Sequence, residues 1–156
     1  MLTINGLPQD EQRIVSMGIS GGWLGIAKRT YSFAVDAGAQ GALAMFTVTG
    51  TVLVQVFGVC QLDLAGAGAT VELGIAGATA ALIAQTTGTD LDQYETWQDA
   101  APEANPGPVD LTARSFVITN GADIILTIAT ADLTAGIIDF YCFWTPLSTG
   151  AAVVAA

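Results

Sequence analysis

The chain contains no histidine. That absence removes the Ser-His and Cys-His pairs on which most nucleophilic hydrolases depend. Charge is scarce as well: 12% of residues are charged, against about 25% in an ordinary soluble domain. Only four of them are basic against 14 acidic, for a net charge of −10. Arg13, Lys28 and Arg29 lie before residue 30 and Arg114 alone follows, so the body of the chain is almost purely acidic. A phosphate backbone needs Lys and Arg to displace its counterions, which argues against nucleic acid as a partner. The basic N-terminal stretch reads either as a solvated tail or as a contact for an acidic partner.

Other familiar chemistry is missing too. Two cysteines, Cys60 and Cys142, sit in apolar runs; with no histidine they make no zinc site. They read as buried free thiols, with pairing left open because a disulfide needs the two Cα atoms within about 7 Å. "GISGGWLG" and "LAGAGAT" lack the Gly-Lys-Ser/Thr end of a phosphate loop and open no convincing helix, so no cofactor is expected. "MLTINGLPQDEQRIV" is acidic and lacks an apolar core, so it predicts no secretory leader and implies synthesis in the cytoplasm.

What the sequence does hold is alternation. In "MFTVTGTVLVQVFGVC", residues 45–60, Phe46, Val48, Gly50, Val52, Val54 and Val56 fall on one face. Thr47, Thr49, Thr51, Leu53 and Gln55 fall on the other, and Phe57 continues that register. A membrane helix needs about 20 consecutive apolar residues without such a period, so this stretch predicts a strand, broken or bulged at Gly50, and no membrane partner. "YSFAVD", "TVELGIA", "AALIAQ", "SFVIT", "ADIILTIA" and "GIIDFYCFWTPL" also read as strands. Asn120-Gly121 suits a type I′ hairpin turn between two of them. Ile124, Leu126 and Ile128 share one predicted face, and Ile138, Phe140, Cys142 and Trp144 another.

The organisation that follows is all-β: a single β-sandwich of about eight strands over residues 31–156, with jelly-roll connectivity as one arrangement. Residues 1–30 read as an N-terminal arm. Residues 86–114 read as a long acidic loop, with six of the 14 acidic residues and three of the five prolines; so long a connection is usually functional or an interface element. Within it Asp90, Asp92 and Glu95 start like a calcium loop but lack its third carboxylate position and its glycine, and a solvated loop is the simpler reading. Paired carboxylates can cleave glycosidic bonds, yet no second acidic cluster faces these. Tyr94 and Trp97 are either anchors for a partner or, for Trp97, a cap folded back on the sandwich. Trp23 in the arm has the same two readings, while Trp144 belongs to a core strand.

"FTVTGTVLVQVFGVC", "TVELGIAGATAALIAQTTGTDLDQYETW" and "FYCFWTPLSTGAAVVAA" together resemble small β-rich structural proteins of tailed bacteriophages, in particular capsid decoration (cement) proteins. The resemblance spans residues 31–150 and lies in texture and phrase order. It implies a trimeric or otherwise oligomeric sandwich bound to the outside of an assembled capsid, with the major capsid protein as partner. It supplies no catalytic residues. The expectation is therefore a non-enzymatic virion protein, with Arg13, Trp23, Lys28, Arg29, Leu53, Phe57, Tyr94 and Trp97 as interface candidates. The alternative is a head-fibre or adhesin-type module that binds a receptor or carbohydrate through the aromatic loop.

Overall fold

The computed structural model describes residues 24–103, 108–111 and 114–156. Alternating apolar positions along these residues form ten strands. They are β1 (Gly25–Ser32), β2 (Gly41–Thr49), β3 (Val52–Ala65), β4 (Thr70–Ile75), β5 (Ala78–Thr87), β6 (Thr96–Trp97), β7 (Phe116–Ile118), β8 (Ile124–Ala129), β9 (Ala135–Pro146) and β10 (Ala152–Ala155). One helical turn, α1 (Phe33–Asp36), follows β1. Sheet I runs β1-β9-β3, with β6 and β7 both paired to β3; sheet II runs β10-β2-β8-β4-β5.

The connectivity has a simple description. β1 pairs with β9, β2 with β8, β3 with β7 and β6, and β4 with β5, all antiparallel. The first four strands thus form one long hairpin with the later ones, and its successive rungs fall in sheet I, sheet II, sheet I and sheet II. That rolled hairpin is the jelly-roll arrangement, and the sandwich is all-β as expected. Inner faces supply a single core. Val52, Val54, Val56 and Cys60 of β3, Ile124, Leu126 and Ile128 of β8, and Ile138, Phe140 and Cys142 of β9 are all buried in it. Fully burying such an apolar side chain contributes about 1.5–3 kcal/mol, which is what drives a period-2 sequence into two facing layers.

Residues 45–60 do form the expected alternating structure, but as two strands in opposite sheets. β2 lies in sheet II and β3 in sheet I, and Gly50 with Thr51 is the corner between them. Gly50 has φ 67°, and a Cβ there would sit 2.7 Å from Ser148 Oγ. The corner is tied on both sides. Gly121 N–H donates to Gly50 O at 2.9 Å, and Leu147 N–H donates to Thr51 O at 2.8 Å. Because the chain crosses the sandwich here, inward positions stay inward through the corner. The outward set is divided: Thr47 and Thr49 lie on the outside of sheet II, and Leu53, Gln55 and Phe57 on the outside of sheet I.

Four other expectations need correction. Ten strands form among the described residues where about eight were counted, because β6 and β10 are short; the expected "SFVIT" strand forms as β7. β1 already runs from Gly25 to Ser32, so Lys28 and Arg29 belong to a strand at the edge of sheet I among the described residues; the rest of the expected arm, residues 1–23, lies outside the described residues. "YSFAVD" does not continue as a strand. After Tyr31 and Ser32 the chain turns into α1, because the Asp36 carboxylate accepts the Ser32 N–H at 2.9 Å and Arg29 Nη2 at 2.7 Å. A side chain that bonds its own local backbone competes with the sheet ladder at such an edge. Finally, Asn120 and Gly121 do adopt positive φ, 58° and 70°. Yet the turn joins β7 of sheet I to β8 of sheet II, so it bridges the layers instead of closing a hairpin.

Candidate functional site

The first part of the 86–114 segment is more ordered than its composition suggested. β5 extends to Thr87, a 3-10 turn covers Gly88–Asp90, and β6 lies along β3. Between them residues 91–95 are fastened to the end of β3. Tyr94 N–H donates to Cys60 O at 2.7 Å and Cys60 N–H to Glu95 O at 2.9 Å. Gln93 N–H donates to Asp63 Oδ1 at 2.6 Å. The Glu95 carboxylate is used locally, accepting the Asp92 N–H at 3.0 Å. Among the described residues no group of three or more His, Cys, Asp or Glu could hold a metal ion.

This loop separates the two aromatics that were paired as anchors. Trp97 sits opposite Gly58 in register and is fully buried. Its ring meets Phe140 edge-on, with centroids 6.0 Å apart. It caps the core of its own chain, and the reading of Trp97 as a partner anchor is corrected accordingly. Tyr94 remains outside at 60% exposure, on a backbone with φ 73°. A bulky residue in that region is uncommon, and the hydrogen bonds around it hold it there.

The outer face of sheet I carries the rest. In register across the sheet, Lys28 lies beside Tyr141 and Tyr141 beside Phe57. One outward row along, Ile26 lies beside Phe143 and Phe143 beside Gln55. Phe57 stacks on Tyr141 with centroids 5.4 Å apart and on Phe143 at 5.9 Å. Lys28 Nζ sits 5.4 Å from the Tyr141 ring centre and pairs with Asp139 at 2.9 Å. The hydrogen bond to Asp139 raises the Lys28 pKa above its ordinary value. Thr30 Oγ1 donates to the same carboxylate. Ile26, 63% exposed, stands at the β1 edge, and Val117, 57% exposed and opposite Leu53, stands at the β7 edge.

Of the predicted interface residues, the structure therefore brings Lys28, Leu53 and Phe57 onto one surface. Arg29 is not free for a partner: it holds Asp36 and donates through Nε to the Ala156 carbonyl at 3.2 Å. Arg13 and Trp23 lie outside the described residues. Sequence reasoning missed Ile26, Val117, Tyr141 and Phe143 as members of this surface. The signal for Tyr141 and Phe143 was present, since they alternate with the core residues of β9. Only the register of β1, β9 and β3 shows that they meet Phe57.

Cys60 and Cys142 are both buried and unpaired. Burial pushes the Cys60 thiol up to about 11 and the Cys142 thiol up to about 12, so neither supplies a thiolate near neutral pH. Compared with protein-family models, with curated proteins and with solved structures, the chain matches none.

Proposed function

We propose that the protein is a non-enzymatic virion structural protein that decorates and stabilises a bacteriophage capsid from outside, through contacts with the major capsid protein and with its own copies. The observation that carries this reading is the outer face of sheet I. Three stacked rings lie in the middle of it, flanked by Ile26, Leu53 and Val117. Its one ion pair is self-neutralising, on a chain of net charge −10. Interface cores are rich in aromatics and depleted of charge, and buried aromatic anchors carry much of the energy of association. The jelly-roll connectivity supports the reading by analogy, since it recurs in viral capsid and lectin domains, although a fold alone fixes no function. Segment 1–23, with Arg13 and Trp23, is the proposed capsid-contacting arm.

Quantitative mass spectrometry of gradient-purified virions tests this: hundreds of copies per particle are expected, and a protein absent from intact virions refutes the role. Capsid co-sedimentation tests the arm. The informative truncation is Δ1–23, because Δ1–30 also strips Gly25–Thr30 from the edge of sheet I. Undiminished binding by Δ1–23 would remove the arm from the account. The adhesin alternative keeps one observation in its favour, the exposed and rigidly held Tyr94. It has lost Trp97 as a platform. Glycan-array binding abolished by Tyr94→Ala would favour it over decoration.

A further inference from the structure

We infer that the outer face of sheet I is a self-association surface, on which a second copy of this chain packs face to face about a two-fold axis. This deepens the proposed structural role by naming the occupant of the aromatic face, and it rests on that role only in placing protein there. Charge selects the occupant. Lys28 and Asp139 cancel within the aromatic patch, and the next acidic residue of β3, Asp63, lies beyond its end. A basic partner gains little from binding here, because the patch carries no acidic excess. A second, equally acidic copy meets least repulsion at this patch. Like-charged surfaces more than about 8 Å apart are screened at physiological salt, so two copies can meet at a neutral face while their acidic flanks stay apart.

The geometry fits an isologous pair. With the axis parallel to β9 and β3, the β1 edge of one copy lies over the β7 edge of the other. Ile26 and Val117, the two exposed apolar side chains at opposite edges, then lie one outward row apart across the interface. The rings of Phe57, Tyr141 and Phe143 meet their counterparts in the middle. Aligned sheets pack in this way about 10 Å apart. Size sets the strength. Four strands at about 4.8 Å and seven residues at about 3.4 Å give a footprint of roughly 450 Å². A standard stable interface buries about 800 Å² per partner. The pair is accordingly weak and reversible.

Sedimentation equilibrium of the full chain, from about 1 μM to about 1 mM, reads this directly. A monomer–dimer equilibrium is expected. Ile26→Asp combined with Val117→Asp should weaken it by about tenfold or more, and both positions are exposed enough for the fold to survive. Val154→Asp, at a residue 56% exposed on the outside of sheet II, should leave it unchanged. Raising salt from about 20 mM to about 500 mM should strengthen pairing, since it screens the acidic flanks. A chain that stays monomeric throughout overturns the inference. So does pairing that salt weakens, or pairing that Val154→Asp disrupts and the double variant does not. The measurement needs no capsid. A chain that pairs but is absent from virions sinks the decoration reading alone, and one found in virions that never pairs sinks this inference alone.

Discussion

Replacing Trp97 distinguishes a binding loop from a core cap. The ring is fully buried, lies opposite Gly58 and meets Phe140 edge-on at 6.0 Å. Its walls belong to the ladder of β3 and β9 and cannot collapse into the space an alanine would leave. Gly58 already brings Ile138 and Phe140 so close that an added Cβ would stand 2.9 Å from Ile138 Cγ2. Trp97→Ala should therefore cost about 3–5 kcal/mol, or roughly 6–20 °C in Tm for a chain of this size. Trp97→Phe separates two contributions. The indole Nε1 is buried with no hydrogen-bond partner among the described residues, and an unsatisfied buried donor costs about 1–3 kcal/mol. Removing that donor offsets much of the lost ring, so Trp97→Phe should stay within about 1.5 kcal/mol of the parent. Urea unfolding followed by far-UV circular dichroism gives both numbers without relying on tryptophan emission. An alanine variant within about 1 kcal/mol of the parent would refute the packing account and return Trp97 to the surface.

Other consequences are equally direct. Gly50→Ala forces a side chain into left-handed backbone beside Ser148; it should lower the unfolding free energy by at least about 1–2 kcal/mol, read as a lower urea midpoint at unchanged slope. Stability should fall in alkali. Burial raises the proton affinity of Cys60, Cys142 and Tyr31, the last to about 12, and the Asp139 hydrogen bond raises that of Lys28. The folded state thus holds these protons after the unfolded chain has released them. The contribution is complete below about pH 9 and declines from there towards pH 12; stability that rises over that window in a pH series of denaturant melts would contradict it. Native protein at about pH 8 should resist iodoacetamide, and two thiols per chain should react once it is unfolded; rapid alkylation of the native protein would show that the cysteines are not sealed.

Alternation was legible wherever a strand is buried on one face and long enough to show it, as in β3, β8 and β9. β6 and β10, at two and four residues, are too short to show a period. α1 was misread because "YSFAVD" alternates like a strand, while the deciding interactions are those of Asp36 with Ser32 and Arg29. Asn120-Gly121 gave its backbone conformation correctly but not its partners, since a two-residue turn specifies local angles and leaves sheet membership to distant residues. The aromatic face was half visible for a related reason. Phe57 and Tyr141 are 84 positions apart by number and become neighbours only through register. Trp97 stood even between two readings because a ring on an irregular segment has no periodicity to assign it.

The rolled hairpin also orders events in time. Its tip, the Ala76-Gly77 turn between β4 and β5, joins strands that adjoin in sequence, whereas Gly25 must find Trp144 to seat β1 on β9. Non-local pairings make folding slow, on a scale of about milliseconds to seconds for all-β topologies. Synthesis supplies β9 only after most of its partners are complete. Until it arrives, β3 stands with one long edge unpaired and Phe57 without its stacking neighbours, a template for the wrong chain. Crowded synthesis of many identical copies is where that delay would matter most, and stopped-flow refolding at rising protein concentration should show it as lost yield rather than a slower rate.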